Sequence, residues 1–104
     1  MSASTQVATE KMIFRKTNAH VGRHIAVTPD NSSNKHLAYG RIILNHWRPS
    51  VSFSTQDRET GLICLSGEAS VKVGEAAAQL GRYDAIYIPR DCSVEVSTKT
   101  SVDF

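Results

Sequence analysis

From Arg58 to Val96 the chain is never apolar for more than about four residues before a breaker interrupts it. Leu62–Leu65, Ala69–Val73 and Ala85–Ile88 are short apolar runs, and Val94–Val96 alternates. Between them stand Ser66-Gly67, Gly74, Gly81 and Pro89-Arg90-Asp91. A helix buries itself through an apolar stripe repeating every 3.6 residues, and no stretch here sustains one over a useful length. Glu75–Leu80 comes nearest, but six residues between two glycines are too few to nucleate a helix, so it is assigned to a returning strand. The spacing therefore predicts strand, turn, strand throughout: an all-β chain closed into a small antiparallel barrel of two facing sheets.

The flanking sequence fits the same pattern. Residues 1–10 are small and polar and are expected to form a flexible arm, leaving 11–104 as one barrel domain. Lys11-Met12-Ile13-Phe14 reads either as a first short strand or as an arm that crosses to a neighbour. Arg23–Val27 alternates polar and apolar and stops at Thr28-Pro29-Asp30, and 31–35 has loop composition. A long strand is expected from Tyr39 to Trp47, with Ile42-Ile43-Leu44 buried on both faces. Arg48-Pro49-Ser50 turns the chain into the alternating Val51-Ser52-Phe53-Ser54. After Val96 the sequence is polar until Val102-Asp103-Phe104, with no clear closing element.

Composition narrows the function classes. A chain of 104 residues has room for one core. The net charge is +2, and the basic residues are scattered rather than gathered in the stripe a nucleic acid would need, so no nucleic-acid partner is expected. No apolar run approaches the ~20 residues of a spanning helix, so no membrane partner is expected either. The first ten residues lack the apolar core of a secretory signal. Cys64 and Cys92 then read as free thiols, Cys64 as a small core residue, and the expected location is cytoplasmic.

The runs R-H-I-A-V-T-P-D at Arg23–Asp30 and R-E-T-G-L-I-C-L-S-G-E-A-S-V-K-V at Arg58–Val73 resemble the first half of 5-deoxy-glucuronate isomerase. L-G-R-Y-D-A-I-Y-I-P at Leu80–Pro89 is similar to the matching segment of its relative, 4-deoxy-5-hexosulose-uronate ketol-isomerase. The resemblance covers about Met12 to Val96 and implies a single cupin, the double-stranded β-helix of the jelly-roll kind, corresponding to the N-terminal half of that family. It also implies a sugar-acid ligand or substrate. Members of the family are bicupins whose second half holds the metal, and this chain resembles only the first.

In a metal-binding cupin two histidines of an H-x-H, a nearby glutamate and a third histidine surround one ion. By that resemblance Ser52 and Ser54 stand at the paired histidines, Val94 at the third, and only Glu59 persists. One carboxylate and two hydroxyls make a poor transition-metal site, so neither a metal nor another cofactor is expected.

His20, His24 and His36 lie in or beside polar sequence and are expected to be solvated. His46 and Trp47 end the long strand, and with Glu59 they would form a ligand pocket at one mouth of the barrel. The alternative is structural: His46 caps the strand and Trp47 covers the core. Tyr87 either reaches the same cavity or points outward at a subunit contact. Glu59 either serves the pocket, where burial would raise its pKa, or accepts bonds at a strand start. Two functions follow: a metal-free module that dimerises or binds a sugar acid, or a sugar-acid isomerase of the aldose–ketose type with Glu59 and His46 as acid and base. A homodimer is expected because the face that meets the second barrel in a bicupin is uncovered here.

Overall fold

The computed structural model describes residues 12–32 and 36–104, which contain ten strands and no helix. They are β1 (Gly22–Val27), β2 (Tyr39–Leu44), β3 (Ser50–Ser54), β4 (Thr60–Ile63), β5 (Ser66–Gly67), β6 (Ala69–Val73), β7 (Ala76–Leu80), β8 (Ala85–Ile88), β9 (Ser93–Ser97) and β10 (Val102–Asp103). One four-stranded sheet has the order β1-β2-β10-β5 and a second β3-β9-β6-β7, while β4 and β8 form a two-stranded ribbon. Every pairing is antiparallel.

Alternation decides which side of each strand is buried. In β9, Val94 and Val96 are buried while Ser93 and Glu95 face solvent. Val96 lies between Val51 of β3 and Val71 of β6, a row of β-branched side chains across the second sheet. In the ribbon, Leu62 faces Ile86 and Thr60 faces Ile88 on the inner side, whereas Gly61, Ile63, Ala85 and Tyr87 lie outside. The first sheet adds Ile42, Leu44, Val102 and Phe104, and Cys64 fills the space between as a fully buried thiol. Burial raises the pKa of that thiol, so it stays protonated and packs as a small apolar group.

Sequence expectation and structure differ in four places. The tail is not an unclosed end: β10 pairs with β2 on one side and β5 on the other. Phe104 continues this ladder by exchanging two backbone bonds with Ile42, of 2.8 and 3.0 Å. Second, Ser66-Gly67 is a short strand rather than a turn. Gly67 has φ +81°, and a Cβ there would lie 2.1 Å from the Ser101 carbonyl oxygen, so only glycine admits β10. Third, β2 stops at Leu44 instead of running to Trp47. Asn45 Oδ1 accepts from the amides of Trp47 and Arg48, both at 2.9 Å, and this Asx turn outcompetes the strand. Fourth, Met12–Phe14 is not a strand, while Lys11 and the expected arm at 1–10 lie outside the described residues.

Elsewhere the expected elements form. Glu75–Leu80 yields β7, an edge strand with only Leu80 buried, where alanines need cover nothing. The loop after β3 is tied to the β8–β9 turn by Thr55, which is buried. Its hydroxyl donates to the Pro89 carbonyl at 2.8 Å and accepts from the Cys92 amide at 3.0 Å. No helix among the described residues is long and apolar enough to cross a membrane.

The closing strand is fastened by its side chain as well. Asp103 accepts two bonds from the Arg41 guanidinium, Nε to Oδ1 at 3.0 Å and Nη2 to Oδ2, in a partly buried fork. Removing one partner strands the other in a half-desolvated site. Asp103→Ala is therefore expected to lower unfolding stability by about 1–3 kcal/mol in a urea titration, whereas Lys99→Ala on the exposed surface should stay within about 0.5 kcal/mol.

Candidate ligand cavity

Because β1 alternates, its two faces serve two different hollows. Arg23 and Ile25 look into one, His24 and Ala26 into the other. The larger is an open cavity of about 610 Å³, within the range of small-molecule sites. Ile42, Leu62 and Phe104 form its buried apolar wall. Arg23, Tyr39, Arg41, Asp57, Arg58, Glu59 and Thr60 supply polar groups around it.

Of the three arginines around the cavity, Arg23 and Arg41 differ in one respect that matters for ligands. Arg41 is committed to Asp103, and that hydrogen bond raises its pKa. This is the one ion pair among the described residues. Arg23 pairs with no described carboxylate. Its guanidinium carbon instead sits 4.3 Å from the centroid of the Phe53 ring. The residue as a whole keeps solvent contact, yet its head group is partly stripped of water, and this desolvation pulls its pKa down from the ordinary value. A cation stacked on an aromatic face, half-dried and without a described carboxylate partner, keeps its charge-assisted hydrogen-bonding capacity free.

Of the four predicted site residues the structure joins two. Glu59 lines the cavity, and Tyr87, which points outward from β8, donates its hydroxyl to Glu59 Oε1. That bond is the main reason the Tyr87 pKa is raised. Glu59 is itself exposed, so the burial that a desolvated base would require is absent. His46 and Trp47 lie apart, in the β2–β3 turn that Asn45 creates, and line neither hollow. Their rings pack on each other with centroids 4.6 Å apart, and Trp47 is 84 % exposed, so it covers no core.

The metal-ligand comparison also shifts. Ser52 and Ser54 face solvent opposite Glu95 and Ser93, whereas Phe53 faces inward opposite the buried Val94. The serines and Val94 thus occupy opposite faces of the sheet and do not converge. Among the described residues no three His, Cys, Asp or Glu side chains gather. Sequence reasoning passed over Arg23 and Phe53. The available signal was parity: Phe53 is on the inward side of the alternating β3, and Arg23 shares one face of β1 with Ile25.

No family model matches the chain, and no curated protein matches it. Its structure is similar to the crystal structure of a protein provisionally named ethanolamine utilization protein Q (EutQ) from Salmonella typhimurium LT2, with a TM-score of 0.63 and 21 % identity. The match covers 78 % of this chain and 62 % of the other, so the chain spans less than two thirds of that protein's length. At this identity the two share a fold. With antiparallel sheets around one core and no helix among the described residues, this chain has the all-β fold of a cupin.

Proposed function

We propose that this cupin domain is a small-ligand module that binds a sugar acid in the cavity beside β1 and works as a homodimer. The observation that carries the proposal is Arg23: a partly desolvated guanidinium on Phe53, facing a cavity and unpaired with any described carboxylate. A ligand carboxylate would complete it with charge-assisted bonds. Asp57, Glu59, Thr60 and Tyr39 offer acceptors and hydroxyls for a polyol, and the apolar wall of Ile42, Leu62 and Phe104 would take the carbon face of a sugar ring. The resemblance to deoxy-uronate isomerases points to the same ligand class. A second reading, isomerisation of such a sugar acid, is favoured by one contact, the Tyr87–Glu59 hydrogen bond, which sets a proton donor and an acceptor at the cavity edge. Both groups are exposed, and for that reason binding is the preferred reading.

The rim supports the dimer. Ile25, Leu37, Tyr39, Ile63 and Leu65 all line the cavity and are all exposed, between 38 % for Ile25 and 70 % for Leu37. A second copy seated on this apolar rim would cover it and dry Arg23 further.

Calorimetry tests the ligand. Glucuronate or galacturonate should bind and glucose should not, and Arg23→Gln should weaken uronate binding by about tenfold or more, as loss of a charge-assisted pair implies. Equal binding of glucose, or unchanged affinity in the variant, would contradict the assignment. For assembly, sedimentation at micromolar concentration should give twice the 11.4 kDa chain mass. Ile63→Glu should return it to one chain, and a monomeric unsubstituted protein would rule the dimer out.

A further inference from the structure

The second hollow on β1 is a cleft of about 290 Å³ lined by Ile13, Phe14, Arg15, Lys16, Thr17, His20, His24 and Ala26. Four of these eight residues are basic, and none is acidic. We infer that this cleft is an anion site for a small phosphorylated molecule, separate from the carboxylate cavity on the opposite face of the same strand.

Three features of the cleft support this. A turn closed by the Ala19 amide on the Lys16 carbonyl, at 3.0 Å, folds the segment back so that His20 lies over His24, with ring centroids 4.0 Å apart. Two imidazoles, a guanidinium and an ammonium group thus line one small volume with no described carboxylate on its lining. Lys16 holds φ +56°, a left-handed conformation that few non-glycine residues adopt and that is retained at the lip of this cleft. Thr17 Oγ1 accepts from Arg41 Nη1 at 3.1 Å, which leaves its own proton for a ligand oxygen. The Arg41–Asp103 fork thereby anchors one wall of the cleft to the core.

A tetrahedral dianion with several acceptor oxygens matches a set of convergent N–H and O–H donors better than a single carboxylate does. The basic groups gather around one small open cleft instead of running along a strip, which favours a small molecule over a nucleic-acid backbone or a membrane surface.

The test uses amide NMR and calorimetry on the full chain with inorganic phosphate and glycerol phosphate as probes. Both should shift the amides of Thr17, His20, His24 and Ala26 and saturate below about 20 mM, where even a millimolar site fills. Arg15→Gln with Lys16→Gln should weaken phosphate binding by about tenfold. Uronate binding should be unchanged in that double variant, while Arg23→Gln should leave phosphate binding intact. Thermal melts confirm that each variant is folded, and His24→Asn gives an independent loss from the strand side of the cleft. The proposal is overturned by an absence of saturable phosphate binding, or by shifts confined to the Arg23 cavity. Binding only to oligonucleotides or to anionic lipid vesicles would overturn it as well. Because phosphate and uronate are read with separate variants, failure of the carboxylate site leaves this result interpretable.

Discussion

The first sheet joins β2 to β5 only by seating β10 between them. The strand has two residues, yet it satisfies backbone groups on both neighbours and delivers Val102 and Phe104 to the core. Its partners are distant in sequence, so the first sheet is not complete until residues 102–103 are seated. Leu65 adds a bond of 2.7 Å to the Asp103 carbonyl, which ties the end of the β4–β8 ribbon to the same strand. The fork from Arg41 fixes β10 laterally and, through Thr17, holds the segment leading into β1. One seat therefore links the core, the ribbon and both hollows.

Period-two alternation does the functional sorting. On β1 it sends successive residues, Arg23 and His24, to two cavities of different chemistry. On β3 it directs Phe53 inward beneath Arg23 and leaves Ser52 and Ser54 outside. On β8 it buries Ile88 and exposes Tyr87, which still reaches Glu59 because a tyrosine is long. A one-residue slip in any of these strands would exchange cavity-facing and solvent-facing groups.

The fold was largely legible because strand rhythm is local. Breakers such as Gly74 and Pro89, together with the alternation of Val51–Ser54 and Val94–Val96, mark strands without knowledge of their partners. What stayed hidden was non-local. Nothing within Val102-Asp103-Phe104 announces a central strand, since the pairing depends on Gly67 admitting a close approach thirty-five residues away in sequence, the difference between 67 and 102. Nothing in His46-Trp47 shows that Asn45 captures the following amides. The candidate site was half legible. Glu59 and Tyr87 do meet, but Arg23 was overlooked, since an arginine in a half-polar strand resembles any solvated charge until Phe53 lies beneath it.

On the proposed function, the cavity beside β1, and no other part of the barrel, receives a small carboxylate. Nitrogen-labelled protein titrated with glucuronate and followed by amide and guanidinium NMR tests it most directly. Progressive shifts are expected at the Arg23 side chain and at Leu37, Gly40 and Gly61 around the cavity, with Lys72 and Ala77 on the far sheet unmoved. Shifts centred on the His46–Trp47 turn, or none at saturating ligand, would contradict it.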